Sequence, residues 1–386
     1  MRKILLSTIV LASIATAADT NTEIEALKAQ MAAMMKKINQ LEAQNKAVIN
    51  APVTETTKVV ATKKHTATTV KSHVPVLKFS GTHYLGFVNK SPKSGKSTNT
   101  FETRRNYLQA KAYFKENPKD YMRITLDTHN ESGGQSTVRL KYAYLYLDNV
   151  LPNTGVEFGQ AHRPWIDYEE HNAWNYRSIS KVMVEEKNAG HLTNSADRGI
   201  NFKTKTPYFS SELGVFNGEG YHNVDTNTSN GSNLSGEWRF TGHILGTGKQ
   251  KAKKSLQYAN VSFFGQENKE SGKHESQDLN WYGLHAVYNQ PEFLVAAQYI
   301  DVTKAHANYK GSGYSINGEY RVTPKWNVLA KYDAFELDQD NKEKKRAIAG
   351  VAYQYNHNVE FIANYLKEGG ANTAQDTLML TADVEW

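Results

Sequence analysis

The stretch that decides the fold is the C-terminal sequence QDTLMLTADVEW, residues 375–386. Apolar side chains occupy every second position from Leu378 to Trp386, and mostly polar side chains lie between them. Because successive side chains of a β-strand point to opposite faces, this alternation predicts a strand with one apolar and one polar face. Such a strand with an aromatic end is typical of the closing strand of a membrane barrel. We interpret Trp386 as part of the signal that the barrel-assembly machinery reads.

Working back from this strand, the chain divides into sixteen segments of alternating polarity separated by turn residues. We place them near residues 76–89, 101–115, 120–130, 137–148, 154–161, 197–206, 209–219, 235–246, 255–267, 278–289, 292–303, 312–322, 325–337, 345–356, 358–369 and 375–386. The predicted fold class is therefore all-β, a transmembrane antiparallel β-barrel of about 16 strands. An even strand number would leave both termini in the periplasm.

A β-sandwich would also alternate, and three features favour the closed barrel over it. The segments reach about 10 to 13 residues, which suits a tilted membrane strand better than the ~5 to 6 residues of soluble sheets. Aromatic residues gather at the segment ends, as interfacial girdles require. Short connections, several of them with proline, alternate with long polar ones, apart from a longer lysine-rich connection at 247–254.

The composition agrees with a barrel that is apolar outside and polar inside. Hydrophobic residues make up 39% of the chain beside 22 Tyr and 14 Phe, and the mean hydropathy is -0.63. There is no cysteine, which excludes disulfides, thiolate metal sites and a Cys nucleophile. The formal charge of +7 lies largely outside the barrel, in residues 1–3 and in the 50–75 segment. The region from Val76 onward is close to neutral, and we expect no nucleic-acid partner.

Three segments precede the barrel. Residues 1–18 predict a signal peptide, because Arg2 and Lys3 precede an apolar run that is too short for a spanning anchor, the alternative interpretation. Residues 19–49 predict a periplasmic coiled-coil helix, and residues 50–75 a flexible basic linker that is either a solvated tether or a contact to anionic polymer or lipid. The coil could self-associate, dock under the barrel or bind another envelope component. Its predicted core is Ile24, Leu27, Met31, Met34, Ile38 and Leu41.

One connection, residues 162–196, is much longer than the others and is the third of the long loops. A tract of this length without its own strand pattern is usually functional, and a sixteen-strand barrel is wide enough to be an aqueous channel unless something narrows it. Its apolar side chains favour a loop folded into the lumen; a loop packed over the mouth is the alternative. Its charges could form opposed rows or a ring of one sign. The candidate constriction residues here are Arg163, Glu169, Glu170, Arg177 and Lys181.

Several motifs resemble the phosphate-selective porins O and P. They are the N-terminal coil, the run FETRRNYLQA from Phe101, the run GQAHRPW from Gly159, the turn DRGI from Asp197 and the aromatic C-terminus. The resemblance implies a trimeric sixteen-strand channel in which arginines line the lumen and lysines at the constriction favour phosphate. In this chain Arg105, Arg123, Arg163 and Arg198 are the candidates for the arginine positions.

Signals for an enzyme are weak. Residues 313–317, GYSIN, fail the last position of a G-x-S-x-G motif, and no phosphate-binding loop or H-E-x-x-H pair is present. We therefore expect no enzyme, metal or cofactor, but a porin for passive diffusion of small hydrophilic solutes, including anions such as phosphate, as a homotrimer in outer-membrane lipid. The alternatives are a structural barrel that tethers the coil to the cell wall and an outer-membrane phospholipase.

Overall fold

The computed structural model describes residues 36, 74–130, 136–222, 234–271, 277–339, 342–372 and 374–386. The predicted signal peptide, most of the predicted linker and the predicted coiled-coil core lie outside the described residues. That core comprises Ile24, Leu27, Met31, Met34, Ile38 and Leu41. No helix in the described part of the chain is long and apolar enough to cross a membrane.

The architecture is sixteen β-strands and, among the described residues, one short helix, α1 (Ile166–Asn172). The strands are β1 (Val76–Pro92), β2 (Thr98–Tyr113), β3 (Tyr121–Asn130), β4 (Ser136–Leu151), β5 (Thr154–His162), β6 (Ala196–Lys205), β7 (Phe209–Phe216), β8 (Ser235–Leu245), β9 (Tyr258–Ser271), β10 (Gln277–Gln290), β11 (Phe293–Lys304), β12 (Gly311–Arg321), β13 (Trp326–Leu337), β14 (Lys342–Gln354), β15 (Val359–Gly370) and β16 (Gln375–Glu385).

Each strand pairs antiparallel with its neighbours in sequence, and β1 pairs with β16 to close the barrel. The closure runs from Thr82 opposite Glu385 to Pro92 opposite Gln375. Beyond this ladder, Gly81 and Trp386 exchange two backbone hydrogen bonds of 2.9 and 3.1 Å. The predicted fold class, a closed antiparallel barrel of sixteen strands, is confirmed.

Burial alternates along the strands and defines an inner and an outer face. In β11, Leu294, Gln298 and Ile300 are buried, whereas Val295 and Tyr299 are nearly half exposed. The closing strand behaves in the same way: Thr377, Met379 and Thr381 are buried, and Leu378 and Leu380 are exposed. The outer face is therefore the apolar one, as a barrel in contact with lipid requires.

Several strands run further than the sequence predicted, mostly at the end with the long connections. β1 continues to Pro92, β2 begins at Thr98, β9 continues to Ser271 and β14 begins at Lys342. These extensions are polar and carry no apolar alternation, but the hydrogen-bonded ladder does not depend on it. At the opposite end, Pro118, Pro152, Pro207, Pro291 and Pro324 lie in or beside the short connections, where a missing N–H costs no ladder bond.

Two bulges place extra cations on the inner face. The register between β1 and β2 passes from Arg105 opposite Tyr84 to Thr103 opposite Leu85, which leaves Arg104 without an opposite residue. Between β3 and β4 it passes over Lys141 in the same way. A bulge inserts one residue and changes the parity of the strand, so two consecutive side chains can face the same side. Arg104 and Lys141 both point inward as a result.

Candidate functional site

Residues 163–195, which we call the inner segment, connect β5 to β6 and lie inside the barrel. Trp165, Ile166, Trp174, Tyr176 and Met183 are all buried. They belong to one apolar cluster with inward side chains of β9 to β15, such as Phe264, Trp281, Ile300, Leu329 and Phe335. The closest ring contact joins Trp165 and Phe264, whose ring centroids are 3.5 Å apart and nearly parallel. Burial of this apolar surface holds the inner segment to one side of the barrel wall.

Polar contacts fix the inner segment to the same wall. Asn317 of β12 donates to the carbonyl of Ala173 at 2.9 Å, and Lys331 of β13 donates to the carbonyl of Lys181 at 2.8 Å. The Tyr176 hydroxyl donates to the carboxylate of Glu319. The bonds from Asn317 and Lys331 satisfy backbone carbonyls of a segment that has little regular structure of its own.

The inner segment also reaches the opposite wall. Arg104 of β2, the residue that the first bulge turns inward, donates from Nη1 to the carbonyl of Ser178 at 2.7 Å. A charge-assisted bond of this kind is stronger than a neutral one. The segment is therefore attached on both sides of the barrel.

The carboxyl group of Glu169 in α1 is buried away from solvent. It is fully buried and accepts hydrogen bonds from Trp165 Nε1 at 2.7 Å and from the side-chain amide of Gln298 at 2.5 Å. Burial raises the pKa of Glu169 to about 7, although Lys331 nearby and the two hydrogen bonds oppose this rise. Glu169 contributes to docking of the inner segment and does not line the cavity described next.

A polar cavity of about 320 Å³ remains between the inner segment and the wall formed by β16 and β1 to β5. Its cationic side chains are Arg123 and Lys141 on the wall and Arg177 on the inner segment. Its carboxylates are Asp167 and Glu170 on the inner segment and Asp383 and Glu385 on β16. Tyr84 of β1 and Tyr107 of β2 lie on the strands between the wall cations and the carboxylates of β16, and Tyr142 lies beside Lys141 on β4. On the barrel wall the two signs of charge thus lie apart, whereas the inner segment carries both.

The cations differ in whether a carboxylate neutralises them. Arg177 forms ion pairs with Glu170 and with Glu185. Lys141 is only 5% exposed, and within the described residues its Nζ has neither a hydrogen bond nor an ion pair; it lies 4.2 Å from the ring centroid of Tyr107. Arg123 likewise meets no carboxylate among the described residues and stacks on Tyr142. Two cations without an ion-pair partner among the described residues therefore face the cavity.

Only some of the candidate pore-lining residues predicted from the sequence lie together in the structure. Arg123, Glu170 and Arg177 line the cavity. Arg105 lies beside it and is bound to Asp127 at 2.8 Å. Lys181 pairs with Glu185 at 3.0 Å.

The other nominated residues lie elsewhere. Arg163 is buried in an ion pair with Glu237 of β8, and Glu169 is buried against β11. Arg198 does not join the inner face: it is exposed, because Asp197 and Asn201 occupy the inward parity of β6. Trp386 lies at the closing seam, 54% exposed, and stacks on His83.

The sequence pattern did not predict that Arg104 and Lys141 face the lumen. A strict alternation along β2 and β4 assigns only one of two consecutive residues to the lumen, and a bulge breaks that rule. The two adjacent cations Arg104 and Arg105 could have indicated the bulge in β2. Asp383 and Glu385 lie on the parity that the sequence assigned to the polar face of β16.

The lysine-rich connection between β8 and β9, residues 246–257, also turns inward. Asn289 donates to the carbonyl of Leu256, and Lys254 lies 3.6 Å from Glu360 of β15. Among the described residues, Lys249, Lys251 and Lys253 form no ion pair. The end of the barrel with the short connections therefore carries a local excess of positive charge.

Within the described residues, no group of three or more His, Cys, Asp or Glu side chains is arranged to hold a metal ion. No protein-family model matches the chain, and no curated protein matches it in sequence.

Solved structures with a similar fold include several porins. An anion-selective porin from Comamonas acidovorans has a TM-score of 0.60 at 11% identity, with 81% of this chain and 99% of that chain covered. OprB from Pseudomonas putida has a TM-score of 0.60 at 8% identity, with 80% and 94% covered. The trimer form of OmpT, an outer membrane protein of Vibrio cholerae, has a TM-score of 0.56 at 11% identity, with 81% and 100% covered. The chain thus has the barrel fold of outer-membrane porins.

Proposed function

We propose that the chain is an outer-membrane porin, a water-filled channel for passive diffusion of small hydrophilic solutes. The observation that carries this proposal is the inner segment, which is packed on one side of the lumen and leaves a polar cavity on the other. A sixteen-strand barrel without such a segment would be a wide aqueous pore. The inner segment would narrow it to a constriction lined by charges of both signs.

A preference for anions, phosphate among them, is the finer part of the proposal. It is supported by Arg123 and Lys141, which have no ion-pair partner among the described residues, and by the lysines of residues 246–257. The carboxylates Asp383 and Glu385 oppose it, so we expect a moderate preference. The resemblance to phosphate-selective porins and the fold shared with an anion-selective porin point in the same direction.

We further propose a homotrimer in the outer membrane, with both termini in the periplasm and with residues 1–18, 19–49 and 50–75 as signal peptide, coiled coil and linker. The even strand number places both barrel ends on one side. The trimer form of one structural neighbour supports the oligomer. Cross-linking of the protein in native outer membranes would test the trimer.

Single-channel recording in planar bilayers tests the channel. Purified protein should give stepwise ohmic currents in potassium chloride, and the absence of steps would refute the proposal. The reversal potential in a salt gradient should show anion preference. Added phosphate should reduce the chloride current if phosphate binds in the constriction, and an equal concentration of a neutral sugar serves as the control.

A further inference from the structure

We propose that His162 is a proton-sensitive positioning residue that sets the selectivity of the constriction by holding Arg123 through an unprotonated ring nitrogen. The inference rests on the proposed channel function and extends it to regulation. His162 is the last residue of β5, lines the cavity and is 5% exposed. Its two ring nitrogens have partners of opposite chemical character.

One partner is a carboxylate. His162 Nδ1 lies 3.0 and 3.1 Å from the two oxygens of Glu157. Glu157 also forms an ion pair with Lys203 at 3.3 Å, which indicates that it is ionised. An ionised carboxylate can only accept hydrogen bonds, so Nδ1 must carry a hydrogen.

The other partner is a guanidinium group. His162 Nε2 lies 3.1 Å from Nη1 of Arg123. A guanidinium can only donate, so Nε2 must be a bare acceptor. The neutral Nδ1–H tautomer of His162 is the only form that satisfies both contacts.

After protonation of Nε2, two hydrogen-bond donors and two positive charges, those of His162 and Arg123, would face each other at this contact. A second carboxylate, Asp167 of α1, lies 3.7 Å from Nε2 and would accept the new hydrogen. The bond of His162 would then pass from Arg123 to Asp167. Arg123 would keep its bonds to Thr125 at 3.0 Å and to Tyr144 at 3.3 Å, and its charge would turn further into the cavity.

Two anionic side chains, Glu157 and Asp167, and two cationic side chains, Arg123 and Lys203, belong to the network around the ring. Tyr142 and Tyr144 pack on the ring with centroid distances of 4.3 and 5.3 Å. Acidification therefore adds one positive charge to the cavity wall, on His162, and frees the charge of Arg123 from its contact with the histidine ring. Both effects favour anions.

The test compares reversal potentials of single channels at about pH 8 and about pH 5.5, the range in which imidazole changes its charge. The wild-type ratio of anion to cation permeability should rise by about twofold or more on acidification, as expected for a unit charge close to the path of the ions. In His162→Gln this rise should be clearly smaller, and what remains comes from other titratable groups of the cavity, such as the carboxylates Asp383 and Glu385. The matched control is His171→Gln, which removes an exposed histidine of the same cavity and should keep most of the rise.

If His162→Gln keeps the full rise, or if His171→Gln abolishes it, the proposal is wrong. A second measurement does not need a working channel. In protein with ¹⁵N-labelled histidine, the signals that disappear in His162→Gln should show the neutral Nδ1–H tautomer at about pH 8 and a protonated ring at about pH 5.5. The Nε2–H tautomer at the higher pH would overturn the proposal, whereas absent conductance with the expected tautomer would refute only the channel function.

Discussion

Arg163 and Glu237 form a two-point ion pair that is sealed inside the barrel. Nε of Arg163 donates to one carboxylate oxygen of Glu237 at 2.8 Å, Nη2 donates to the other, and both side chains are buried. The pair joins the start of the inner segment to β8. It shows that an arginine which the sequence suggests as a pore residue can instead hold the inner segment in place.

Removing one partner of this pair should destabilise the barrel strongly. Arg163→Met leaves Glu237 buried and unpaired, and we expect a loss of about 3 to 5 kcal/mol in the free energy of unfolding. The double variant Arg163→Met with Glu237→Leu should recover much of that loss, because no buried charge remains. Equilibrium urea unfolding in lipid vesicles, followed by tryptophan fluorescence, measures both. Equal losses in the single and the double variant would contradict this account.

Lys141 should control the proposed preference for anions, since its charge faces the cavity and has no carboxylate partner among the described residues. Lys141→Met keeps most of the side-chain length and removes the charge, so the reversal potential should shift toward cations. Arg198→Met is the matched control: it removes one positive charge from the outer face and should leave the reversal potential unchanged. Identical shifts in the two variants would show that only the net charge of the protein matters.

The stacked pair of Trp165 and Phe264 should hold the inner segment to the wall. Trp165→Ala removes this contact and the hydrogen bond to Glu169, and we expect a cost of about 3 to 5 kcal/mol. A loosened segment should raise the noise of the open-channel current and widen the distribution of conductance levels. Trp326→Ala on the outer face provides the control. A quiet channel of unchanged conductance in Trp165→Ala would argue against this anchor.

Glu169 should make the protein less stable as the pH rises. Because the fold raises the pKa of this carboxyl to about 7 from an ordinary 4.5, the folded state binds a proton that the unfolded state releases. The stabilisation is fully present below the ordinary pKa and is lost as the pH rises through about 7. The total is on the order of 3 kcal/mol.

Glu169→Gln should remove this dependence, because the amide remains neutral. The difference in unfolding free energy between wild type and Glu169→Gln, measured from about pH 4 to about pH 8, should change in the stated direction across the range in which the carboxyl titrates. A constant difference would mean that the fold does not shift the pKa of Glu169 from its ordinary value.

The sequence was sufficient for the fold because the barrel follows from a local rule. Alternation in β16, repeated through the chain, and prolines at the short connections determine strand number and direction without knowledge of long-range contacts. The site was harder to predict. Arg123 faces the lumen, as the alternation predicts. Arg163 instead forms a buried ion pair, and Arg198 lies at an outward-facing position of β6.

The residues that the sequence missed depend on information that alternation does not contain. Whether Arg104 or Lys141 faces inward is decided by an unpaired residue in a ladder with the neighbouring strand. Which part of the wall receives the inner segment is decided by contacts such as Trp165 on Phe264, across about a hundred residues of sequence. Both are tertiary effects, and a pattern read along one strand does not report them.

The bulges at Arg104 and Lys141 make the number of inward-facing cations independent of the regular alternation of the strands. In a regular barrel, a new inward side chain requires a substitution at an existing inward site. A one-residue insertion that forms a bulge instead adds an inward cation while the strand number, and with it the circumference, stays the same. Single-codon insertions in β2 and β4 are therefore a route by which related barrels could diverge in permeability while keeping a common frame.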